Sequence, residues 1–277
     1  MKIIDGKTLA ENLRKNIAKE VKQYSRPPGL AVILVGDDQA SQVYVRNKSR
    51  ACVEVGFYSD QIHKSANITQ EELLSEVQRL NENNNIDGIL VQLPLPSHID
   101  ANEIIEAIIP EKDVDGFSSE NVGKLSLNKP FISPCTPKGV MKMLDSIKCD
   151  LRGKDCVIIG ASNIVGRPMA MEFLNAGATV QVCHKETKDI KQKTKSADII
   201  VAAAGVANLV NSEWVKEGAV IIDVGINRLE DGSMTGDVDF DDVKYTDSAI
   251  SPVPGGVGPM TIAVLLENTL TAYQAKL

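Results

Sequence analysis

The chain has 277 residues, 43% of them hydrophobic and 24% charged, with a formal net charge of −7 at pH 7. That length exceeds the usual size of one compact domain and predicts two lobes, while an ordinary apolar content without any run long enough to cross a bilayer excludes a helical membrane protein. The acidic balance argues against a general nucleic-acid binder, whose surface must neutralise phosphates.

The opening residues, MKIIDGKTLAENLRKN, turn polar within a few positions and offer no apolar signal region, so a cytoplasmic location is expected. Residues 7–24 read as a helix with Leu9, Leu13, Ile17 and Val21 on one stripe, and residues 30–35 as a buried strand. The next segment, DDQASQVYVRNKSRACVEVGF, has helical character up to Gly56. Tyr44, Lys48, Ala51 and Val55 follow one another at helical spacing, so Lys48 shares the apolar side with Tyr44 while Arg46 and Arg50 point elsewhere. Such a lysine either snorkels along the surface or is a partly desolvated amine that exchanges protons near neutrality, with the Tyr44 ring as a stacking face for a flat ligand. Residues 69–83 form a helix opened by a Thr69/Glu72 capping box. The strand at residues 86–93 carries Gln92 inside the apolar GILVQLPLP, where a buried amide must find a hydrogen-bond partner. PEKDVDGF then sets Asp113 and Asp115 beside Gly116, either as a turn or as a polar site.

Near residue 140 the stretch SPCTPKGVMKMLDSI passes from a proline-marked loop into a helix. We place the division there: residues 1–140 as one lobe, completed by a C-terminal helix at 261–277, and residues 141–260 as the second. Strands at 155–159, 179–183, 199–203 and 220–224 alternate with helical patterns, which predicts an α/β fold with parallel sheets and a cleft between the lobes. CVIIGASNIVGRP runs a strand into Gly160, Gly166 and a helix, where free backbone N–H groups can meet a phosphate. Its spacing is neither G-x-G-x-x-G nor a P-loop, so the loop alone leaves an ordinary tight turn and a dinucleotide site both open. His184-Lys185 after the next strand favours NADP over NAD, since a basic group there accommodates a 2′-phosphate; the alternative is a solvated lysine beside Glu186. AAAGVAN and IIDVGINR stop in Gly205 and Gly225, as strand ends of a doubly wound sheet do, and SPVPGGVGPMT fixes an unusual backbone path without naming a ligand. Five cysteines without C-x-x-C spacing and three scattered histidines support neither a disulfide framework nor a metal site.

Together these stretches resemble the bifunctional methylenetetrahydrofolate dehydrogenase/cyclohydrolase family. SQVYVRNKSRAC, DGILVQLPLP, PEKDVDGF, PCTPKGV, GASNIVGRP, DVGIN and PVPGGVGPMT occur in the family's order over nearly the whole chain. The resemblance implies a folate-binding catalytic lobe and a Rossmann-type NADP-binding lobe. It also implies oxidation of 5,10-methylenetetrahydrofolate by NADP+, followed by hydrolysis of the methenyl product to 10-formyltetrahydrofolate.

By the same resemblance Lys48 is the catalytic lysine that handles protons in hydrolysis. Gln92 is its hydrogen-bond partner, Tyr44 the residue stacked on the folate ring and Asp115 the carboxylate for the pterin's nitrogens. Ser41 matches a small residue in the lysine's hydrogen-bond network, and Pro254, Gly255 and Gly256 a loop beside the folate. Gly160, Ala161, Ser162, Ile164, Val165 and Gly166 match the dinucleotide loop, with Ile226, Gly258 and Thr261 near the nicotinamide. Some family members carry arginine after the first loop glycine and serine after the Cys-His pair; this chain has Ala161 and Lys185, which leaves Lys185 to supply the charge for the 2′-phosphate. A homodimer through the nucleotide lobe is likewise implied, and the formate ligase domain of larger members is expected to be absent. The competing expectations are a catalytically degenerate NADP- or folate-binding protein and a related dehydrogenase of another small acid.

Overall fold

The computed structural model describes all 277 residues. In chain order the elements are β1 (Lys2–Ile3), α1 (Gly6–Val21), β2 (Gly29–Val35), α2 (Gln39–Val55), β3 (Tyr58–Lys64), α3 (Gln70–Glu82), β4 (Gly88–Val91), α4 (Ala101–Glu106), α5 (Ser119–Ser126) and α6 (Cys135–Ser146). There follow β5 (Asp155–Ile159), α7 (Gly166–Asn175), β6 (Thr179–Cys183), α8 (Ile190–Thr194), β7 (Ile199–Ala202), β8 (Val220–Asp223), β9 (Asn227–Arg228), β10 (Met234–Thr235), α9 (Phe240–Val243), β11 (Ala249–Ile250) and α10 (Val257–Gln274). The chain forms two compact units, Met1–Ala10 with Thr136–Thr261 and Glu11–Cys135 with Ile262–Leu277.

The second of these is built on a three-stranded parallel sheet in the order β3-β2-β4. Its centre, β2, is GLAVILV and is buried at every residue, because a parallel strand covered by helices on both faces has no solvent side. Ile33, Val35, Leu73, Val77, Ile86 and Ile89 are the heart of its core. The capping box of α3 is present in both directions, Glu72 N–H to Thr69 and Thr69 N–H to Glu72. The other end of that helix is closed by a side chain distant in sequence: Lys112 donates to the carbonyls of Leu80 (2.9 Å), Asn81 (2.7 Å) and Asn83 (2.9 Å), as a cation does where the last carbonyls lack partners. Burial pulls the Lys112 ammonium down to about 8.

Asp87 anchors the C-terminal segment to this unit. Its fully buried carboxylate accepts Arg26 at 2.7 and 2.8 Å, Lys276 at 2.9 Å and the Gly29 N–H at 2.9 Å. Burial works to raise the Asp87 carboxyl, and Arg26, Gly29 and Lys276 together overcome it and hold the group below the usual carboxylate range. Arg26 also lies 4.6 Å above the Tyr273 ring, which meets Tyr24 edge-on. Removing one partner from such a buried charge cluster costs about 3–5 kcal/mol, so residues 262–277 are tied by more than apolar contact.

The other unit holds a six-stranded sheet, all parallel, in the order β1-β11-β8-β7-β5-β6. After β5 the chain lays β6 on one side and then crosses to place β7, β8 and β11 on the other, so the strand order reverses beside β5. Ligands of open α/β sheets bind at the carboxyl ends of the strands at such a switch. Lys2 and Ile3 pair with Ala249 and Ile250. The first ten residues are thus grouped with this unit by strand pairing.

Candidate functional site

In the three-stranded unit the polar residues gather at the carboxyl ends of β2 and β4. Gln92 follows β4, and its N–H donates to Ile33 O at 2.8 Å, continuing the ladder one residue past the strand. Its side-chain Nε2 donates to Leu93 O at 2.7 Å, which fixes the amide so that Oε1 faces away and accepts Lys48 Nζ at 3.0 Å. Lys48 comes from α2, the helix that leaves β2. It is only 9% exposed, so of the two arrangements that its helical spacing left open, a snorkelling side chain and a partly desolvated amine, the second is observed. Tyr44, one turn earlier, is half-buried, and burial pushes its phenol above the ordinary value.

Asp113 and Asp115 turn out to do different things. Asp113 is spent on the turn: its carboxylate accepts Gly116 N at 3.0 Å, Ser118 N at 2.8 Å and Asn121 Nδ2 at 3.0 Å. Gly116 has φ +77° and its absent Cβ would lie 2.8 Å from Pro134 N, so the tightness of this turn depends on glycine. Asp115 is the carboxylate left over. Burial pushes it above the usual range against the nearby Lys48 charge, with the negative Asp113 adding to the rise and the Cys135 thiol opposing it. Asp115 keeps an open edge to solvent, while its carboxyl is closely surrounded. Ser41 is buried in the first turn of α2, where its N–H donates to Asp38 at 2.8 Å. Its hydroxyl makes no hydrogen bond to Lys48, whose one partner is Gln92.

In the six-stranded unit the glycine loop has the shape of an anion cradle. A Cβ on Gly160 would lie 2.0 Å from Ala203 O, and one on Gly166 would lie 2.0 Å from Gly160 O, so neither position accepts a side chain. Between them Ser162 accepts the Val165 N–H at 3.2 Å and the Arg167 N–H at 3.0 Å, which curls the loop into α7. The N–H groups of Ala161, Ser162, Asn163 and Ile164 find no acceptor in the chain. Unpaired donors at a helix start beside the sheet's switch point are the arrangement a dinucleotide pyrophosphate needs. Ile226 and Gly258 lie together, a Cβ on Gly258 meeting Ile226 Cδ1 at 4.0 Å, and the Thr261 hydroxyl lies 2.9 Å from that of Thr136. Pro254, Gly255 and Gly256 follow β11 in this same unit, where Gly255 O accepts the Lys7 N–H at 2.9 Å. Lys185 is 90% exposed with Glu186 at 4.0 Å, the solvated arrangement weighed against a phosphate role.

Sequence reasoning missed Asp223 and Asp237, two buried carboxylates, the first the last residue of β8 and the second two residues past β10. The available signal was an aspartate ending the apolar run VIID before Gly225, and an aspartate directly after Gly236 in GDVDF.

A family model for the catalytic domain of tetrahydrofolate dehydrogenase/cyclohydrolase matches residues 4–115, and one for the NAD(P)-binding domain of the same family matches residues 134–277. The chain is 61% identical to the bifunctional protein FolD of Ruthia magnifica subsp. Calyptogena magnifica over 277 residues, covering 100% of each. Among solved structures, the bifunctional FolD of Campylobacter jejuni shares 54% identity with a TM-score of 0.98 over 100% of both chains. The Trypanosoma brucei N5,N10-methylenetetrahydrofolate dehydrogenase-cyclohydrolase, solved with NADP cofactor and an inhibitor, shares 41% identity with a TM-score of 0.95, covering 99% of this chain and 97% of that one. On these matches and the two sites above, the chain belongs to the tetrahydrofolate dehydrogenase/cyclohydrolase family.

Proposed function

We propose that the protein oxidises 5,10-methylenetetrahydrofolate to the 5,10-methenyl compound with NADP+ and hydrolyses that product to 10-formyltetrahydrofolate, two steps of one-carbon metabolism that supply formyl groups for purine synthesis. The observation that carries the reading is the buried Lys48–Gln92 pair, held beside Asp115 in a chain of this family. NADP+ supplies the hydride acceptor. The open N–H groups of residues 161–164 suit its pyrophosphate, Gly160 and Gly166 let the loop that carries them turn tightly against the carbonyls of Ala203 and Gly160, and Ile226, Gly258 and Thr261 suit the nicotinamide end.

On the folate side, Asp115 receives the pterin's amino and ring nitrogens, Tyr44 stacks on the ring, and Pro254, Gly255 and Gly256 border it. The methenyl carbon is already cationic, so hydrolysis requires little beyond a placed proton carrier. Water forms a C–O bond at that carbon and yields a proton to Lys48. The adduct's hydroxyl then gives up its proton to water as the C–N5 bond breaks and N5 takes a proton back from Lys48, leaving the formyl C=O on N10 and one proton released overall. Gln92 holds Lys48 through Oε1 and so sets the direction of the amine. Neither competing expectation, a degenerate binding protein or a dehydrogenase of another small acid, is favoured where Lys48, Gln92, Tyr44 and Asp115 are all retained. No helix is long and apolar enough to cross a membrane; a cytoplasmic location and a homodimer through the nucleotide unit complete the proposal.

Lys48→Met is expected to slow hydrolysis of supplied methenyl substrate by about 10²–10⁴-fold, the usual contribution of one general acid–base group, while NADP+ binding measured by calorimetry is unchanged; hydrolysis at the wild-type rate contradicts the assignment. Lys185→Ala tests the phosphate role. Losing one charge-assisted contact raises the KM for NADP+ about 10-fold or more with that for NAD+ unaltered, and an unchanged preference refutes it.

The raised carboxyl of Asp115 makes a stability prediction whose sign is fixed. A folded-state value above the unfolded one means the native state holds the proton longer, so the group favours folding below the ordinary carboxylate range and that advantage is lost as pH rises through the raised value. Asp115→Asn therefore unfolds at a higher temperature than wild type at about pH 8, and the difference closes as pH falls to about 3, below the ordinary carboxylate value. Scanning calorimetry at the two pH values checks this, and a variant less stable at the higher pH would count against the burial argument.

A further inference from the structure

Asp223 is 3% exposed and Asp237 is 0% exposed, and neither carboxylate meets a lysine, arginine or histidine. Every group that donates to them is an amide. Asp223 accepts the N–H groups of Gly225 (3.0 Å), Asp237 (2.9 Å) and Val238 (2.9 Å). Asp237 in turn accepts Ala204 N at 2.6 Å and Gly205 N at 2.9 Å on one oxygen, and Asn227 Nδ2 at 2.9 Å on the other. The pair thus joins the segment after β7 to the segment after β8, at the carboxyl edge of the sheet where ligands of this architecture lie. Ile226 stands between Gly225 and Asn227, one held by each aspartate.

The fit is close enough to dictate sequence. A Cβ on Gly225 would lie 2.1 Å from Asp237 Oδ1, and one on Gly236 would lie 1.8 Å from Asp223 Oδ2. Burying two unpaired carboxylates is costly, and burial pushes Asp223 up to about 6 even with three N–H donors on it. An apolar filling would hold the loops together more cheaply but would not fix the two consecutive amides of Ala204 and Gly205 at one point.

We infer that Asp237 is a positioning residue for the dehydrogenase step: through Ala204, Gly205 and Asn227 its carboxylate sets the loops that carry the nicotinamide end of NADP+, without touching cofactor or folate. The inference rests on the proposed placement of the nicotinamide beside Ile226. Asn at position 237 is the informative change, because an amide presents one acceptor and one donor where the site offers donors on both sides, so one loop must shift. Hydrolysis, assigned to Lys48 in the three-stranded unit, does not depend on that shift.

The test uses the full chain carrying Asp237→Asn. The expected result is a fall of about 10–100-fold in kcat for methylene oxidation, the scale of a small misplacement of reacting groups, with hydrolysis of supplied methenyl substrate within about twofold of wild type on the same ground. Amide hydrogen exchange of the free protein should quicken at Ala204 and Gly205, and titration should give a weaker NADP+ affinity. Oxidation and hydrolysis falling by the same factor alongside a lower unfolding temperature would make Asp237 a purely structural group, and unchanged oxidation would equally overturn the inference. Should Asp237→Asn fail to fold, Asn227→Ala removes a single donor and predicts a smaller, still selective loss of oxidation; an equal loss of both activities overturns the inference. A wild type that reduces no NADP+ overturns the proposed function and this inference together, whereas an active wild type with an unaffected Asp237→Asn overturns this inference alone.

Discussion

Parallel pairing brings every strand of a sheet to the same edge with its carboxyl end, and both units of this protein use that constraint. The strand interiors are closed to chemistry: β2 and β7 are buried at every residue. Function is left to the first residues past the strands, where the ladder stops and polar groups need other partners. Gln92 stands one residue beyond β4, Gly160 directly after β5, His184-Lys185 after β6, Ala204 and Gly205 after β7, Gly225 and Ile226 after β8.

Each of these positions is governed by how a buried polar group is satisfied. Gln92 spends its NH2 on its neighbour's carbonyl, which leaves its oxygen for Lys48 and sets the direction from which the amine can act. Asp113 is committed to the turn by three N–H donors, whereas Asp115, two residues on, has its charge disfavoured by burial. At the glycine loop the order is reversed: the donors are left without acceptors, and the glycines let the loop pack against the carbonyls of Ala203 and Gly160. The glycine loop presents a set of unpaired donors, and the end of β4 a set of oriented side chains.

Much of this was readable in sequence because the governing interactions are local. Lys48 and Tyr44 were found by helical spacing, Gln92 by its place in an apolar strand, and the capping box of α3 by two residues three apart. The buried strands were legible as Val- and Ile-rich runs, although the run ending at Leu93 shortens to Gly88–Val91 in the sheet. What escaped depends on distant partners. β3, YSDQIHK, is an edge strand whose polar residues carry no periodic signal, yet it pairs with β2 along its whole length. β1 and β11 have two residues each and exist only because they pair. Lys112 closes a helix about thirty residues upstream in the chain, and Asp223 and Asp237 bind amides contributed by separate loops. No spacing rule reports such contacts, since each is created by the fold.

The central claim is that one chain carries out both steps, and the most direct measurement is to give the purified protein 5,10-methylenetetrahydrofolate with NADP+, and with NAD+ in parallel, and follow reduced cofactor, methenyl and formyl products together. The account predicts NADPH formed faster than NADH and 10-formyltetrahydrofolate as the end product without a second enzyme. A protein that binds NADP+ yet forms neither methenyl nor formyl product would contradict it.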